Sequence, residues 1–189
     1  MRLILASNSP RRKELLAGLE FPFEVRILNG IDESYPDTLQ GEEIPMYISA
    51  QKTKAYLPTL GEDELLITAD TVVMLEGRVL GKPHDREDAI RMLTDLSGRT
   101  HEVITGVTLA TLERQKSFAS VSRVTFASLS PKDILHYVDH YRPFDKAGAY
   151  GIQEWIGFIG VTRIEGSYFN VMGLPVQRLY EELRQFTNN

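Results

Sequence analysis

The chain opens on a short apolar run, Leu3 to Ala6, that reads as a buried strand and gives way to the polar turn Ser7-Asn8-Ser9. Ser9 is a good helix N-cap and Pro10 suits the first helical position, so a helix is predicted through Leu15, Leu16 and Leu19, with Gly18 near its end. Phe23 to Leu28 alternates loosely as a strand does, and 29–36 is a polar loop with adjacent carboxylates, Asp32 and Glu33. Pro45 opens a second helix, Met46 to about Tyr56, which carries Lys52 and Lys54 and is limited by Pro58. Leu65 to Ala69 is a continuous apolar run, the pattern of a central strand buried on both faces, and it is predicted to end on Asp70. Thr71 to Leu75, a hairpin-like Glu76-Gly77-Arg78 and the constrained loop Gly81-Lys82-Pro83 follow.

In the second half, Asp85 caps a predicted helix whose apolar stripe is Ile90, Leu93 and Leu96 and whose stop is Gly98. His101 to Leu112 and Phe118 to Leu129 read as two long strands joined by the charged turn Glu113 to Lys116. Ser130-Pro131-Lys132-Asp133 starts a helix to about Tyr141, and 143–154 is a loop rich in glycine and alanine. Phe158 to Ile164 is predicted as a strand, Gly166 to Gly173 as a loop and Pro175 to Phe186 as a helix. Helices and strands alternate first and a strand pair joins later. The expected fold is therefore α/β, with a mixed, twisted central sheet flanked by helices, in one domain over 1–189 with two lobes and a cleft between them.

Composition narrows the function more by exclusion than by signal. The 189 residues are 42% hydrophobic and 25% charged with net charge −5, which argues against general nucleic-acid binding and makes any anion site a local pocket. There is no cysteine, so thiolate nucleophiles, disulfides and zinc–cysteine sites are excluded. The first apolar run is too short for a signal peptide and no later one would cross a bilayer, so the expected location is the cytoplasm.

Two features stand out against local preference. Arg11 and Arg12 sit in the first turn of a helix, where the dipole disfavours cations by about 0.3–1 kcal/mol each. An anion held by backbone N–H groups, serine hydroxyls and guanidinium forks would explain them; pairing with surface carboxylates would too. Asp70 closes a buried strand, where α/β sheets gather ligands, although an isolated strand-end aspartate commonly just caps a turn. Ser7, Glu33, Lys52 and Lys82 also fall in or near loops and helix ends, and acids beside several cations are what phosphoryl chemistry uses. No Gly-x-x-x-x-Gly-Lys-Ser/Thr and no Gly-x-Gly-x-x-Gly after a strand is present. His136 and His140 share a predicted helix face, but without a full His-Glu-x-x-His pattern; Tyr137, Tyr141, Phe144 and Tyr150 read as core or interface, and Trp155 as a loop residue.

Taken together the chain resembles the Maf family of nucleoside triphosphate pyrophosphatases. The resemblance rests on six stretches in the family's order: 6–16, Ala69-Asp70-Thr71-Val72-Val73, Gly81-Lys82-Pro83, Leu96-Ser97-Gly98-Arg99, 145–153 and Val171-Met172-Gly173-Leu174-Pro175. It implies hydrolysis of a nucleoside triphosphate between the α and β phosphates, with a divalent metal, magnesium or manganese, and a homodimer. Carried over by position, Asp70 is implied as the general base, Glu33 as its partner at the metal, and Ser7, Arg11, Arg12, Lys52 and Lys82 as the phosphate-binding set. Arg11, Thr71 and Gln153 match the branch that acts on dTTP and UTP rather than on 7-methyl-GTP. A glutamine amide accepts from the N3–H of uracil or thymine and donates to a neighbouring carbonyl, so base chemistry agrees. The chain departs from the family pattern at Glu154-Trp155, where glycine often follows the glutamine, and that bulk bears on the size of the base pocket. Two other readings use the same pocket: a non-catalytic nucleotide-binding regulator of cell division, and a nucleotidyltransferase that forms pyrophosphate only when an acceptor is present.

Overall fold

The computed structural model describes residues 1–188, and these form seven strands and seven α-helices. In chain order they are β1 (Arg2–Leu5), α1 (Pro10–Ala17), β2 (Phe23–Val25), α2 (Glu43–Tyr56), β3 (Glu64–Leu75), β4 (Arg78–Leu80) and α3 (Arg86–Leu96). Then come β5 (Thr100–Ala110), β6 (Gln115–Phe126), α4 (Pro131–Tyr141), α5 (Trp155–Gly160), β7 (Val161–Glu165), α6 (Tyr168–Met172) and α7 (Val176–Asn188). The strands follow the order β2-β1-β3-β5-β6-β7, with β4 paired to β3. β1 is parallel to β2 and β3, whereas β4 is antiparallel to β3 and β7 to β6, so the sheet is mixed as expected. No helix among the described residues is long and apolar enough to cross a membrane.

The chain packs as two compact units. The first comprises 1–71, 105–120 and the chain from Gly173 onward. Ile4, Leu66 and Ala110 of its strands, with Ala6 just after β1, bury against Tyr56 and Leu60, and fully burying a large aliphatic side chain is worth about 1.5–3 kcal/mol. Against the sheet α2 presents small and hydroxylic residues. Ser49 Oγ lies 2.9 Å from Thr108 Oγ1, Thr53 Oγ1 lies 2.8 Å from Thr68 Oγ1, and Thr68 also donates to the Ser49 carbonyl at 2.8 Å. Gly106 of β5 makes the close approach possible: a Cβ there would stand 2.3 Å from the Pro45 carbonyl carbon and 2.4 Å from Met46 N. The helix thus lies low on the sheet, with every buried hydroxyl satisfied by its neighbour.

The second unit, 72–104 and 121–172, has a larger core built from Val73, Leu93, Leu96, Val124, Phe126, Tyr137, Ile152 and their neighbours. Two of its helices, α3 and α4, start where side-chain caps dictate: Asp85 accepts from Asp88 N at 2.8 Å, and Ser130 accepts from Asp133 N at 3.1 Å. His101 is buried edge-on to Phe126 and Tyr150, with Nε2 2.7 Å from the Tyr150 hydroxyl. Burial pushes the His101 imidazolium down to about 4 from its ordinary 6.5. The unfolded chain therefore takes up this proton before the folded one does, so the stabilisation is present above about pH 6.5 and is lost as pH falls towards 4. Stability measured in urea is expected to drop by about 2 kcal/mol from this residue between pH 7 and pH 5, and His101→Gln is expected to lack that increment. Equal pH slopes for the two proteins would contradict it.

Five elements differ from the sequence reading. Asp70 does not end its strand: β3 runs on to Leu75, and Asp70 and Thr71 are a partly buried pair inside it, flanked by buried residues on both sides. The strand expected over 23–28 stops at Val25, and beyond it the Leu28 N–H donates to the Tyr56 hydroxyl at 2.8 Å rather than to a strand. The second helix starts at Glu43, ahead of Pro45, because a proline in the first turn gives up no helical hydrogen bond. The strand expected from Phe158 begins only at Val161. The residues before it form α5, headed by Trp155, and leave Phe158 81% exposed instead of packed in the sheet. The loop expected over 166–173 contains α6, anchored by Asn170 Nδ2, which donates to the Val103 carbonyl at 3.0 Å.

Candidate active site

In the first unit, the turn after β1 is held by its own serine side chains. Ser7 Oγ accepts from Ser9 N–H at 3.2 Å, and Ser9 Oγ accepts from Arg12 N–H at 3.4 Å, capping α1 as its sequence predicts. Arg12 turns back across the unit: its Nε donates to the Gly173 carbonyl at 2.8 Å and a terminal nitrogen donates to Thr71 Oγ1 at 3.0 Å. Thr71 in turn shares a 2.9 Å hydrogen bond with Thr105. Burial lowers the Arg12 guanidinium below its ordinary value; the charge of Asp70 opposes this, Arg11 adds to it, and Glu33 opposes it. Four of the residues singled out in the sequence therefore feel one another at a single place.

The centre of that place is Lys52. Its ammonium lies 2.7 Å from Asp70 Oδ1 and 3.0 Å from Glu33 Oε1. The Lys52 and Asp70 side chains are only 11% and 13% exposed, whereas Glu33 is 50% exposed. Taking such charges out of water costs several kcal/mol per ion, so the pair holds only because each satisfies the other and the apolar core beneath fixes both backbones. The low seat of α2 on the sheet, set by Ser49, Thr53 and Gly106, carries the Lys52 stem down to β3. Among the described residues no group of three or more His, Cys, Asp or Glu is placed to hold a metal. The donor set of two carboxylates nevertheless fits magnesium or manganese: such ions take one or two protein carboxylates and complete their shell with phosphate oxygens and water.

Lys82 and Gln153 belong to the second unit. Their two stretches are tied together, since Gly148 N–H donates to the Gly81 carbonyl at 3.0 Å. Lys82 is exposed on its loop, while the Gln153 amide oxygen is shielded from solvent and has no hydrogen-bond partner. The His136 and His140 rings lie tilted to each other with centres 4.2 Å apart, and His136 meets the Trp155 ring edge-on at 4.8 Å. Thr105 and the Gly173 carbonyl were beyond sequence reasoning: a backbone acceptor has no residue signature, and Thr105 lies in a run of buried strand residues. Tyr137, which reads as core or interface from the sequence, and Lys146 of the glycine-rich loop are both buried.

Residues 2–186 match the family model described as Maf-like protein. This chain belongs to the Maf family. The Maf chain is 63% identical to a dTTP/UTP pyrophosphatase of Phocaeicola vulgatus, over 97% of its own length and 95% of that relative's. It is 52% identical to a dTTP/UTP pyrophosphatase of Porphyromonas gingivalis, over 98% of its own length and 94% of the relative's. Among solved structures it is similar to a HAM1 protein from Coxiella burnetii, with a TM-score of 0.50 at 13% identity over 98% of this chain and 99% of that one, a likeness of fold alone.

Proposed function

We propose that this Maf protein hydrolyses nucleoside triphosphates, dTTP and UTP foremost, to the monophosphate and pyrophosphate, with water attacking the α-phosphorus. The observation that carries the reading is the Lys52 ammonium held between Asp70 and Glu33, with the Arg12 guanidinium in their field. Relatives at 52–63% identity that are named dTTP/UTP pyrophosphatases support the substrate class.

Asp70 orients the attacking water and takes its proton. Ser7, the N–H groups at the start of α1, Arg11, Arg12, Lys52 and Lys82 offset the charge of the phosphate oxygens. Asp70 and Glu33 would hold a magnesium or manganese ion, which supplies Lewis-acid polarisation of a phosphoryl oxygen when bound. Gln153 reads the base: its buried, unpartnered amide oxygen matches the N3–H donor that uracil and thymine carry and cytosine lacks. Leaving such a group unsatisfied costs about 1–3 kcal/mol, enough to disfavour a wrong base tenfold or more.

A pyrophosphate-release assay with dTTP, UTP, CTP, ATP and GTP in the presence of magnesium tests this. The expected result is pyrophosphate from dTTP and UTP at least ~10-fold faster than from the others. Binding without release would identify a nucleotide-sensing regulator. Release only on addition of an acceptor would identify a nucleotidyltransferase.

A further inference from the structure

Beside Gln153 stands a carboxylate held more firmly than a surface glutamate needs to be. Tyr137, fully buried, donates its hydroxyl hydrogen to Glu154 Oε2 and accepts from Gly151 N–H at 3.0 Å. The buried Lys146 ammonium meets Glu154 Oε1 at 3.1 Å and Asp145 Oδ1 at 2.8 Å. The backbone closes the same loop, since Glu154 N–H donates to the Gly151 carbonyl at 3.0 Å and Gly157 N–H to the Glu154 carbonyl at 2.9 Å. Gly151 is the floor on which both side chains rest. A Cβ there would lie 2.9 Å from the Glu154 carboxyl carbon and 3.0 Å from Gln153 Nε2. The Gln153 amide therefore has its position set from below by Gly151 and from the next residue along by a carboxylate that cannot turn.

We propose that Glu154 is a positioning residue for base selection: clamped between Tyr137 and Lys146, it locks the 151–154 turn and so fixes the amide of Gln153. The proposal rests on the reading of Gln153 as the residue that recognises the base. It assigns to Glu154 a role through its neighbour, not a contact with the nucleotide. Charge-assisted hydrogen bonds are about twice as strong as neutral ones, and this clamp sets one, from Tyr137, on one carboxylate oxygen and the Lys146 ion pair on the other. A turn released from it lets the amide sample orientations in which its oxygen no longer meets N3–H, and discrimination between uracil and cytosine falls while the phosphate chemistry continues.

The test is the ratio of kcat/KM for UTP to that for CTP, by pyrophosphate release, in the wild type, Q153A, E154A and the double variant. Tyr137→Phe removes one side of the clamp without changing charge, and it replaces E154A should that variant fail to fold. E154A and Y137F are each expected to lower the UTP:CTP ratio about 10-fold, through a higher KM for UTP, with kcat for CTP unchanged within about twofold. E154Q, which keeps an acceptor for Tyr137, is expected to recover part of the ratio. In the double variant the loss is expected to equal that of Q153A alone, because residues acting as one unit do not add. A wild-type ratio in both E154A and Y137F, or a loss that adds in full to that of Q153A, would overturn the proposal. An unchanged ratio in Q153A would overturn the base-reading role of Gln153 itself.

Discussion

Asp70→Asn is expected to bind UTP at least as tightly as the wild type and to turn it over about 10²–10⁴-fold more slowly, the usual contribution of a general base. The expectation follows from what the substitution preserves. An asparagine oxygen still accepts from the Lys52 ammonium, which lies 2.7 Å from Asp70 Oδ1, so α2 and β3 stay joined. A negative charge that repels the triphosphate disappears, and with it the only group of the pair that can take a proton from water. Affinity for a non-hydrolysable UTP analogue, measured by calorimetry beside single-turnover rates, separates the two effects. Near-normal turnover would remove Asp70 from its role.

Lys52→Met is expected to act on both stability and catalysis. It leaves the carboxylates of Asp70 and Glu33 without the ammonium that lies 2.7 and 3.0 Å from them. Breaking a buried pair from one side costs about 3–5 kcal/mol, and because Glu33 is half exposed the lower end applies here. Catalytically, the loss of a fixed positive charge at the phosphoryl oxygens is expected to lower kcat/KM about 10²–10³-fold. Urea unfolding reads the first effect and steady-state kinetics the second. In Asp70→Asn/Lys52→Met, where the buried carboxylate charge is gone as well, part of the lost stability is expected to return while the catalytic loss remains. Wild-type stability in Lys52→Met would mean that the pair is held by the backbone alone.

What the sequence disclosed, and what it did not, follows the range of the interactions. Caps are local, so Ser9-Pro10, Asp85 and Ser130 marked three helix starts that the structure retains. The position of Asp70 was misread for a related reason. A polar pair after a buried run looks like a strand end, and only the partners on either side show that β3 carries Asp70 and Thr71 through the sheet to Val72–Leu75. Phe158 and Ile159 misled in the opposite way, being apolar residues that stand exposed on α5. The candidate residues were legible as residue types and through the family resemblance. The contacts within it, Lys52 with Asp70 across 18 positions and Arg12 with Gly173 across 161, come only from the fold. Glu154, met in the sequence as added bulk after Gln153, acquires a specific role once Tyr137 and Lys146 are seen to hold it.

The central claim, that water held at Asp70 attacks the α-phosphorus, is tested most directly by hydrolysing UTP in ¹⁸O-water and weighing the products. The account predicts one ¹⁸O atom in the uridine monophosphate and none in the pyrophosphate. Label in the pyrophosphate, or orthophosphate as the released product, would contradict it.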